Sequence, residues 1–194
     1  MKGQQQIVSV VIIIGLIIGA TATVLPWANT MIQKKKDMKS LDDVYYFFQN
    51  MDETIRTIAK NGGEESLSLE TPGILIISPE NNTISFNFES KVSNIAEGDW
   101  IPLNTPNLNE TGTLGLDTPS VIFGKAEKQD NIIKIWYKLW YRELKDPSTG
   151  QLYKISLNTT DGKEKSTTTG YIRIQKIGTT TSEDLTITKI NIII

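Results

Sequence analysis

Residues 10–18 read VVIIIGLII, and they stand in the middle of a longer stretch, residues 7–25, that carries no charged side chain. A helix needs about 20 predominantly apolar residues to cross the hydrocarbon core of a bilayer. This stretch supplies about that number. We therefore predict that residues 6–28 form a helical segment that lies in a membrane or in the apolar core of an assembly.

The apolar segment runs on without a turn signal into residues 31–60, which have the pattern of an amphipathic helix. Apolar residues recur there at every third or fourth position and so share one helix face: Leu41, Val44, Phe48, Met51, Ile55 and Ile58. Charged residues fall mostly on other faces: Asp42, Asp43, Asp52, Glu53 and Arg56. Asn61-Gly62-Gly63 is a strong stop signal. These patterns predict one helix over residues 4–61, about 85 Å long, with a kink or local break at Pro26.

Residues 71–194 are predicted to form a separate β-rich domain, because runs of Ile, Val, Tyr, Trp and Thr alternate there with turn signals. The predicted strands are residues 73–78, 83–89, 120–124, 132–144, 152–157, 170–177 and 185–193. Residues 97–119 are rich in Pro, Gly, Asn and Thr and are predicted to form a long surface loop. Without crossover helices the strands should pair antiparallel. The expected fold is α+β, a long helix packed on an antiparallel β-sheet or β-sandwich.

The composition excludes several classes of function. Among 194 residues there is no Cys and no His, so thiol chemistry and the usual general base near neutral pH are both missing. The net charge of -2 gives no basic excess for nucleic acid. Adjacent carboxylates, such as those of Asp42-Asp43, are expected to be solvated surface charge. We expect a non-catalytic protein that binds no metal or cofactor.

The strand predicted at residues 132–144 has two chemically different faces. One face carries Ile133, Ile135, Tyr137, Leu139 and Tyr141, and the other carries Lys134, Trp136, Lys138, Trp140 and Arg142. The second face interleaves cations with tryptophans, which suits a glycan or a nucleic acid strand. Alternatively, it is an outward sheet face on which Lys and Arg stems cover the rings, and we favour this interpretation. The possible binding residues are Trp136, Lys138 and Trp140.

Three Asn-x-Ser/Thr sequons begin at Asn81, Asn109 and Asn158. Each falls in or beside a predicted turn or loop, where such sites must lie to be modified. Together they favour a domain that lies outside the cell.

The location of the chain depends on the fate of the apolar segment. In one interpretation it belongs to a secretory signal peptide that is cut after Ala20-Thr21-Ala22, which would release a secreted binding domain. In a second it is an uncleaved transmembrane anchor. The lysines at 34, 35 and 36, followed by Lys39, would then favour a cytoplasmic position for the large domain.

The third interpretation rests on the tripeptide Lys2-Gly3-Gln4, which stands directly before the uninterrupted apolar helix. This arrangement resembles the class III signal peptides of archaeal type IV pilins and archaellins, over about the first 60 residues. The resemblance implies that a prepilin peptidase cuts after Gly3, that residues 1–3 are a leader, and that the helix is kept as the filament core.

The resemblance further implies a structural subunit of an archaeal type IV filament at the cell surface. Its partners would be membrane lipid before assembly and then other copies or related pilins, joined through the helix. Gly15, Gly19 and Ala20 would permit close approach of neighbouring helices. The alternative is a single-pass membrane protein whose external β-sandwich (residues 71–194) acts as a binding, receptor or stator-like module and does not polymerise.

Overall fold

The computed structural model describes residues 2–168 and 170–194, and for residues 2–9 it describes the backbone alone. It has one helix, α1 (Lys2–Asn61), and two six-stranded β-sheets. The C-terminal half of α1 contacts strands of both sheets. The chain therefore has the expected α+β fold, in its β-sandwich form.

The structure has a strand at each of the seven predicted positions. Its strands are β1 (Glu64–Ser68), β2 (Ile74–Ser78), β3 (Thr83–Ser90), β4 (Ile101–Pro102), β5 (Thr111–Thr113), β6 (Ser120–Gln129), β7 (Ile132–Tyr141), β8 (Glu143–Lys145), β9 (Leu152–Asn158), β10 (Lys165–Thr167), β11 (Tyr171–Ser182) and β12 (Leu185–Ile193). Of the predicted strands, β6 and β11 each extend five residues beyond the predicted end. The prediction of one strand over residues 132–144 is wrong at its end, because the chain changes sheet at Arg142 and forms β7 and β8 in different sheets.

Five of these strands, β1, β4, β5, β8 and β10, were not predicted as separate strands. They are short and carry little apolar alternation. The predicted surface loop contains β4 and β5.

The two sheets have the strand orders β1-β11-β12-β9-β8-β5 and β10-β2-β3-β7-β6-β4. Most neighbours are antiparallel, but β9 pairs with β12 in parallel, and so does β5 with β8. The sheets are therefore mainly antiparallel, as the sequence predicts, with two parallel pairs. The parallel pair of β9 and β12 arises from a change of sheet. After β9 the chain crosses to β10 in the second sheet and returns through β11, so β12 arrives beside β9 in the same direction without a crossover helix.

Helix α1 continues through Pro26 and ends where the sequence predicts. The predicted local break is wrong, because Pro26 removes one backbone donor and the turns on either side retain theirs. At the other end, the Gly62 N–H donates to the Ile58 carbonyl at 2.8 Å. Gly62 has φ 79°, a left-handed conformation that glycine adopts at low cost.

The apolar stripe of α1 completes the core between the two sheets. All six predicted stripe residues are buried, and Val44, Phe48, Met51 and Ile55 have no exposed surface. The Phe48 ring stacks on the Tyr137 ring of β7, with centroids 5.9 Å apart. Periodicity alone therefore identified the helix face that binds the β-domain.

Polar bonds fix the same half of the helix to the β-domain along its length. Asp52 is buried rather than on a solvated face, and its carboxylate accepts a 2.8 Å hydrogen bond from the Tyr141 hydroxyl. Lys176 Nζ of β11 donates to the Ala59 carbonyl at 2.6 Å and so caps the last turn. The helix and the sheets are thus one folded unit.

Asn82, in the turn between β2 and β3, joins the two sheets. It is buried and has φ 54°. Its Nδ2 donates to the carbonyls of Tyr141 and Ile155, and its Oδ1 accepts from the Leu157 N–H at 2.7 Å. Asparagine tolerates the left-handed region better than most residues, so one side chain satisfies three backbone groups at the seam between the sheets.

Candidate functional sites

The first candidate site is the N-terminal half of α1, of which we define residues 10–32 as the apolar rod. The rod is apolar all round and makes no packing contact with the β-domain. Its large apolar side chains are between 43% (Met31) and 68% (Leu16) exposed. An exposed apolar surface of this size marks a contact with lipid or with another protein.

The threonine hydroxyl groups of the apolar rod are satisfied within the helix. The Thr21 hydroxyl donates to the Ile17 carbonyl at 2.8 Å, and the Thr30 hydroxyl donates to the Pro26 carbonyl at 3.0 Å. The Thr23 hydroxyl likewise bonds to carbonyls one turn earlier. These bonds remove the cost of placing hydroxyl groups in an apolar medium.

Gly15 and Gly19 lie one turn apart on the apolar rod, and Ala20 follows directly. The space beside both glycines is open, with no atom within 4 Å of a notional Cβ. Small residues in this spacing allow a neighbouring helix backbone to approach closely in an apolar medium. The rod therefore offers a shallow strip for helix packing.

The junction between the rod and the domain is sharp. Lys34, Lys35 and Lys36 are exposed, and the very next residue, Asp37, is buried. One Asp37 carboxylate oxygen accepts a 2.9 Å bond from the Lys91 backbone N–H, and the other accepts a 2.6 Å bond from Gln33. Asp37 thus marks where α1 begins to pack on the β-domain. The three lysines directly before it form a partial ring of positive charge around the helix, which we call the collar.

The proposed processing residues Lys2, Gly3 and Gln4 lie in the first turn of α1. Their side chains fall outside the described residues, so the structure does not test this prediction.

The outer face of β7 and its neighbours is the second candidate site. As predicted, Ile135, Tyr137, Leu139 and Tyr141 point inward and are buried, whereas Trp136, Lys138 and Trp140 are half-buried on the outside. Lys138 Nζ lies 4.2 Å from the ring centroid of Trp100 and 5.0 Å from that of Phe123. Burial lowers the pKa of Lys138. Lys125 Nζ lies 5.9 Å from the Trp136 ring centroid.

These pairings agree with the interpretation in which cations cover the tryptophans, with one exception. Among the residues that the structure describes, no cation lies over the Trp140 ring. Trp140 instead lines two adjoining depressions, of about 420 Å³ and about 260 Å³. The sequence did not distinguish Trp140 from Trp136, because the covering Lys125 comes from another strand.

Arg142 does not lie on the outer face with the other cations, so this part of the prediction is wrong. It is 1% exposed, and its guanidinium donates to the carbonyls of Thr118, Asn107 and Asn109. Asp117 lies 3.9 Å from it. The Thr113 N–H and the Asn107 amide, with Arg142 assisting, lower the pKa of the Asp117 carboxyl. Arg142 therefore holds the preceding loop in place, because that loop buries carbonyls that need donors.

The three sequons differ in accessibility. Asn81 and Asn109 are exposed, and Asn158 is half-buried at the end of β9.

A further cavity, of about 620 Å³, opens beside the last turns of α1 between Ala59, Leu144 and Ile155. Among the described residues, no group of three or more carboxylates could hold a metal ion.

Comparison with family models, with curated proteins and with solved structures finds no match to this chain. By length and composition, α1 is long and apolar enough to cross a membrane, which is compatible with a membrane anchor.

Proposed function

We propose that this chain is a pilin-like structural subunit of an archaeal type IV filament that assembles through its apolar rod. The observation that carries the proposal is the continuity of α1. One uninterrupted helix is exposed and apolar over residues 10–32 and is built into the core of a β-domain from Asp37 onward. A subunit of this form presents an apolar stalk for bundling and a polar domain for the outside of a filament.

In this proposal, assembly exchanges lipid contacts for helix–helix contacts. Lipid tails are as apolar as the side chains of the rod, so burial in a bundle gains little from the hydrophobic effect and depends on close packing. The open strip at Gly15 and Gly19 supplies that packing. Before assembly, the rod would hold the subunit in the membrane, with residues 10–32 spanning about 35 Å at 1.5 Å per residue.

The bonds between α1 and the β-domain would carry force along the filament. Phe48 stacks on Tyr137, the Tyr141 hydroxyl binds Asp52, and Lys176 caps the helix end. A stalk joined to its domain by a flexible linker would not hold the outer domains in register. The docked helix favours a filament subunit over a tethered soluble domain.

The outer position of the β-domain is part of the proposal and is supported by its chemistry. Asn81 and Asn109 are exposed sequon asparagines on this domain. In the filament the β-domains would form the outer surface, available for adhesion or for a glycan cover. The partners are other copies or related pilins, membrane lipid and a prepilin peptidase, with no role for nucleic acid.

A second candidate is a single-pass membrane protein whose external β-domain acts as a binding or stator-like module. The observation that favours it is that α1 is long and apolar enough to cross a membrane by itself. The collar of Lys34, Lys35 and Lys36 would then lie among the lipid headgroups next to the domain, although its charge favours a cytoplasmic rather than an external position. In that case the rod spans a membrane permanently and the chain does not polymerise.

Intact-mass measurement of the protein from native membranes separates these candidates. A chain that starts at Gln4 supports the filament subunit, because cleavage after Gly3 leaves the rod attached. A chain that retains Met1 favours the permanent anchor. A chain that starts at Thr23 contradicts both, because the rod would have been removed by a secretory signal peptidase.

A further inference from the structure

The turn between β2 and β3 presents an accessible sequon in a fixed orientation. Asn82, its middle residue, points inward and is held by three hydrogen bonds to the sheet seam. The flanking Asn81 is exposed, and Thr83 lies half-buried on the outer sheet face. Asn81 Nδ2 donates to Ser78 Oγ at 3.1 Å. The amide nitrogen carries two hydrogens, so it can still donate this bond after a sugar has replaced one of them.

The register of the sheet places this sequon beside Trp140. Thr83 of β3 is the direct cross-strand partner of Trp140 of β7. Asn81 and Trp140 both line each of the two depressions on this face, the larger together with Lys138 and the smaller together with Glu110. We call this continuous surface the Trp140 trough. The sequon asparagine therefore lies inside the trough.

The chemistry of the trough suits a saccharide. The Trp140 ring is the one outer tryptophan of β7 that no cation covers, among the residues described. A flat ring binds the apolar C–H face of a sugar, and charged or amide groups around it accept and donate hydrogen bonds to hydroxyls. The smaller depression supplies such groups from Glu80, Glu110, Glu143 and Lys154.

Both depressions are open, and a free saccharide that touched one ring and a few side chains would bind weakly. A saccharide attached at Asn81 is different, because a short tether raises its local concentration to about the millimolar range. Contacts too weak to capture a free sugar then suffice to order an attached one. The position of Asn81 inside the trough favours the attached ligand.

We propose that Asn81 is N-glycosylated and that the first sugars of this glycan pack on the Trp140 ring. In the modification, Nδ2 bonds to the anomeric carbon of the sugar and gives up one proton, which passes to solvent. The bond from that carbon to the phosphate of a glycosyl-phosphate donor breaks, and the phosphate leaves with the electron pair. The inference rests on the external position of the β-domain given under the proposed function.

A sequon away from the trough provides a control. The side chain of Asn109 lines neither depression, but Glu110 and Thr111 of the same sequon line the smaller one. The sequon of Asn158, Thr159 and Thr160 lines neither depression. A glycan at Asn158 should therefore not contact Trp140.

The test begins with glycopeptide mass spectrometry of the full chain from its native cells, combined with protease treatment of intact cells. We expect a glycan at Asn81. An unmodified Asn81 on a chain that external protease digests overturns the inference and leaves the external position intact. An unmodified, protease-protected domain overturns both.

The packing is tested by removing the glycan. Asn81→Gln should lower Tm by about 2–4 °C, the shift expected for a loss of roughly 1 kcal/mol in a chain of this size. It should also increase acrylamide quenching of tryptophan fluorescence. The control variant Thr160→Ala, which removes the Asn158 sequon at an exposed residue outside the trough, should do neither. In a Trp140→Leu background, which keeps an apolar side chain but removes the ring, Asn81→Gln should lower Tm by less, because only the bond to Ser78 is then disturbed. The same loss in the Trp140→Leu background, or no loss in either background, overturns the proposed contact.

Discussion

Replacement of Tyr141 by Phe should weaken the attachment of α1 to the β-domain by an amount that the structure allows us to state. The Tyr141 hydroxyl is buried and donates a 2.8 Å bond to Asp52, which is 5% exposed. Tyr141→Phe leaves that carboxylate oxygen without its buried donor. Hydrogen bonds to charged groups contribute about 1.5–3 kcal/mol. Arg56 Nε remains 3.1 Å from the other Asp52 oxygen, so we expect a loss within this range rather than above it.

The assay is urea unfolding of the full chain in a non-denaturing detergent, followed by tryptophan fluorescence. Tyr153→Phe is the matched control, because Tyr153 is 38% exposed. Surface substitutions of this kind stay within about 0.5 kcal/mol.

A double-mutant cycle with Asp52→Ala, which removes both carboxylate oxygens, isolates the bond. The sum of the two single-variant losses in unfolding free energy should exceed the loss of the double variant by about 0.5–3 kcal/mol, because each change removes the same contact. Strictly additive losses, or a Tyr141→Phe variant as stable as the Tyr153→Phe control, would show that the bond does not hold the helix to the sheet.

Three further perturbations test the fold. Burial raises the pKa of Tyr137 to about 12, whereas an unfolded tyrosine has a pKa of about 10. As far as Tyr137 determines it, the free energy of unfolding should therefore be constant below pH about 10 and should decrease as the pH rises from about 10 to about 12. Tyr137→Phe should make this decrease smaller. Asn82→Ala should cost about 3 kcal/mol or more by urea unfolding, because three buried backbone groups lose a partner. A chain that begins at Gln33 should stay folded without detergent, because α1 packs on the β-domain only from Asp37 onward, and light scattering should show a monodisperse solution. Aggregation of this shortened chain would mean that the removed residues contribute to the core.

The parts of the fold that were predictable are those set by local periodicity. The stripe from Leu41 to Ile58 follows the 3.6-residue repeat of a helix, and the inward residues of β7 follow the two-residue repeat of a strand. Each pattern is strong because one face of the element is buried and the other is exposed to solvent. Strands β1 and β10 were missed because polar residues dominate them and their position is set by pairing with β11 and β2.

The errors concern polar residues whose partners are distant in the sequence. Asp52 and Arg142 resemble solvated charges in any local window, yet the Tyr141 hydroxyl and the carbonyls of an earlier loop make their burial favourable. The difference between Trp136 and Trp140 depends likewise on the register of β6, which brings Lys125 to one ring and not to the other. The trough at Asn81 follows from strand register, which sequence patterns did not provide.

The central claim is that the apolar rods of neighbouring copies pack against one another, and cysteine-pair cross-linking tests it most directly. The natural chain has no cysteine, so every thiol is an introduced one. Neighbouring copies in a filament meet through different positions, so Gly15→Cys or Gly19→Cys is combined in turn with a second cysteine at each other position across residues 12–24. Disulfide-linked oligomers should form in native membranes or filaments, at second positions that repeat about every 3.6 residues. A disulfide requires Cα atoms within about 7 Å, which a lipid-surrounded helix does not offer. Monomers at every position, in cells that carry the protein in their membranes, would contradict the claim.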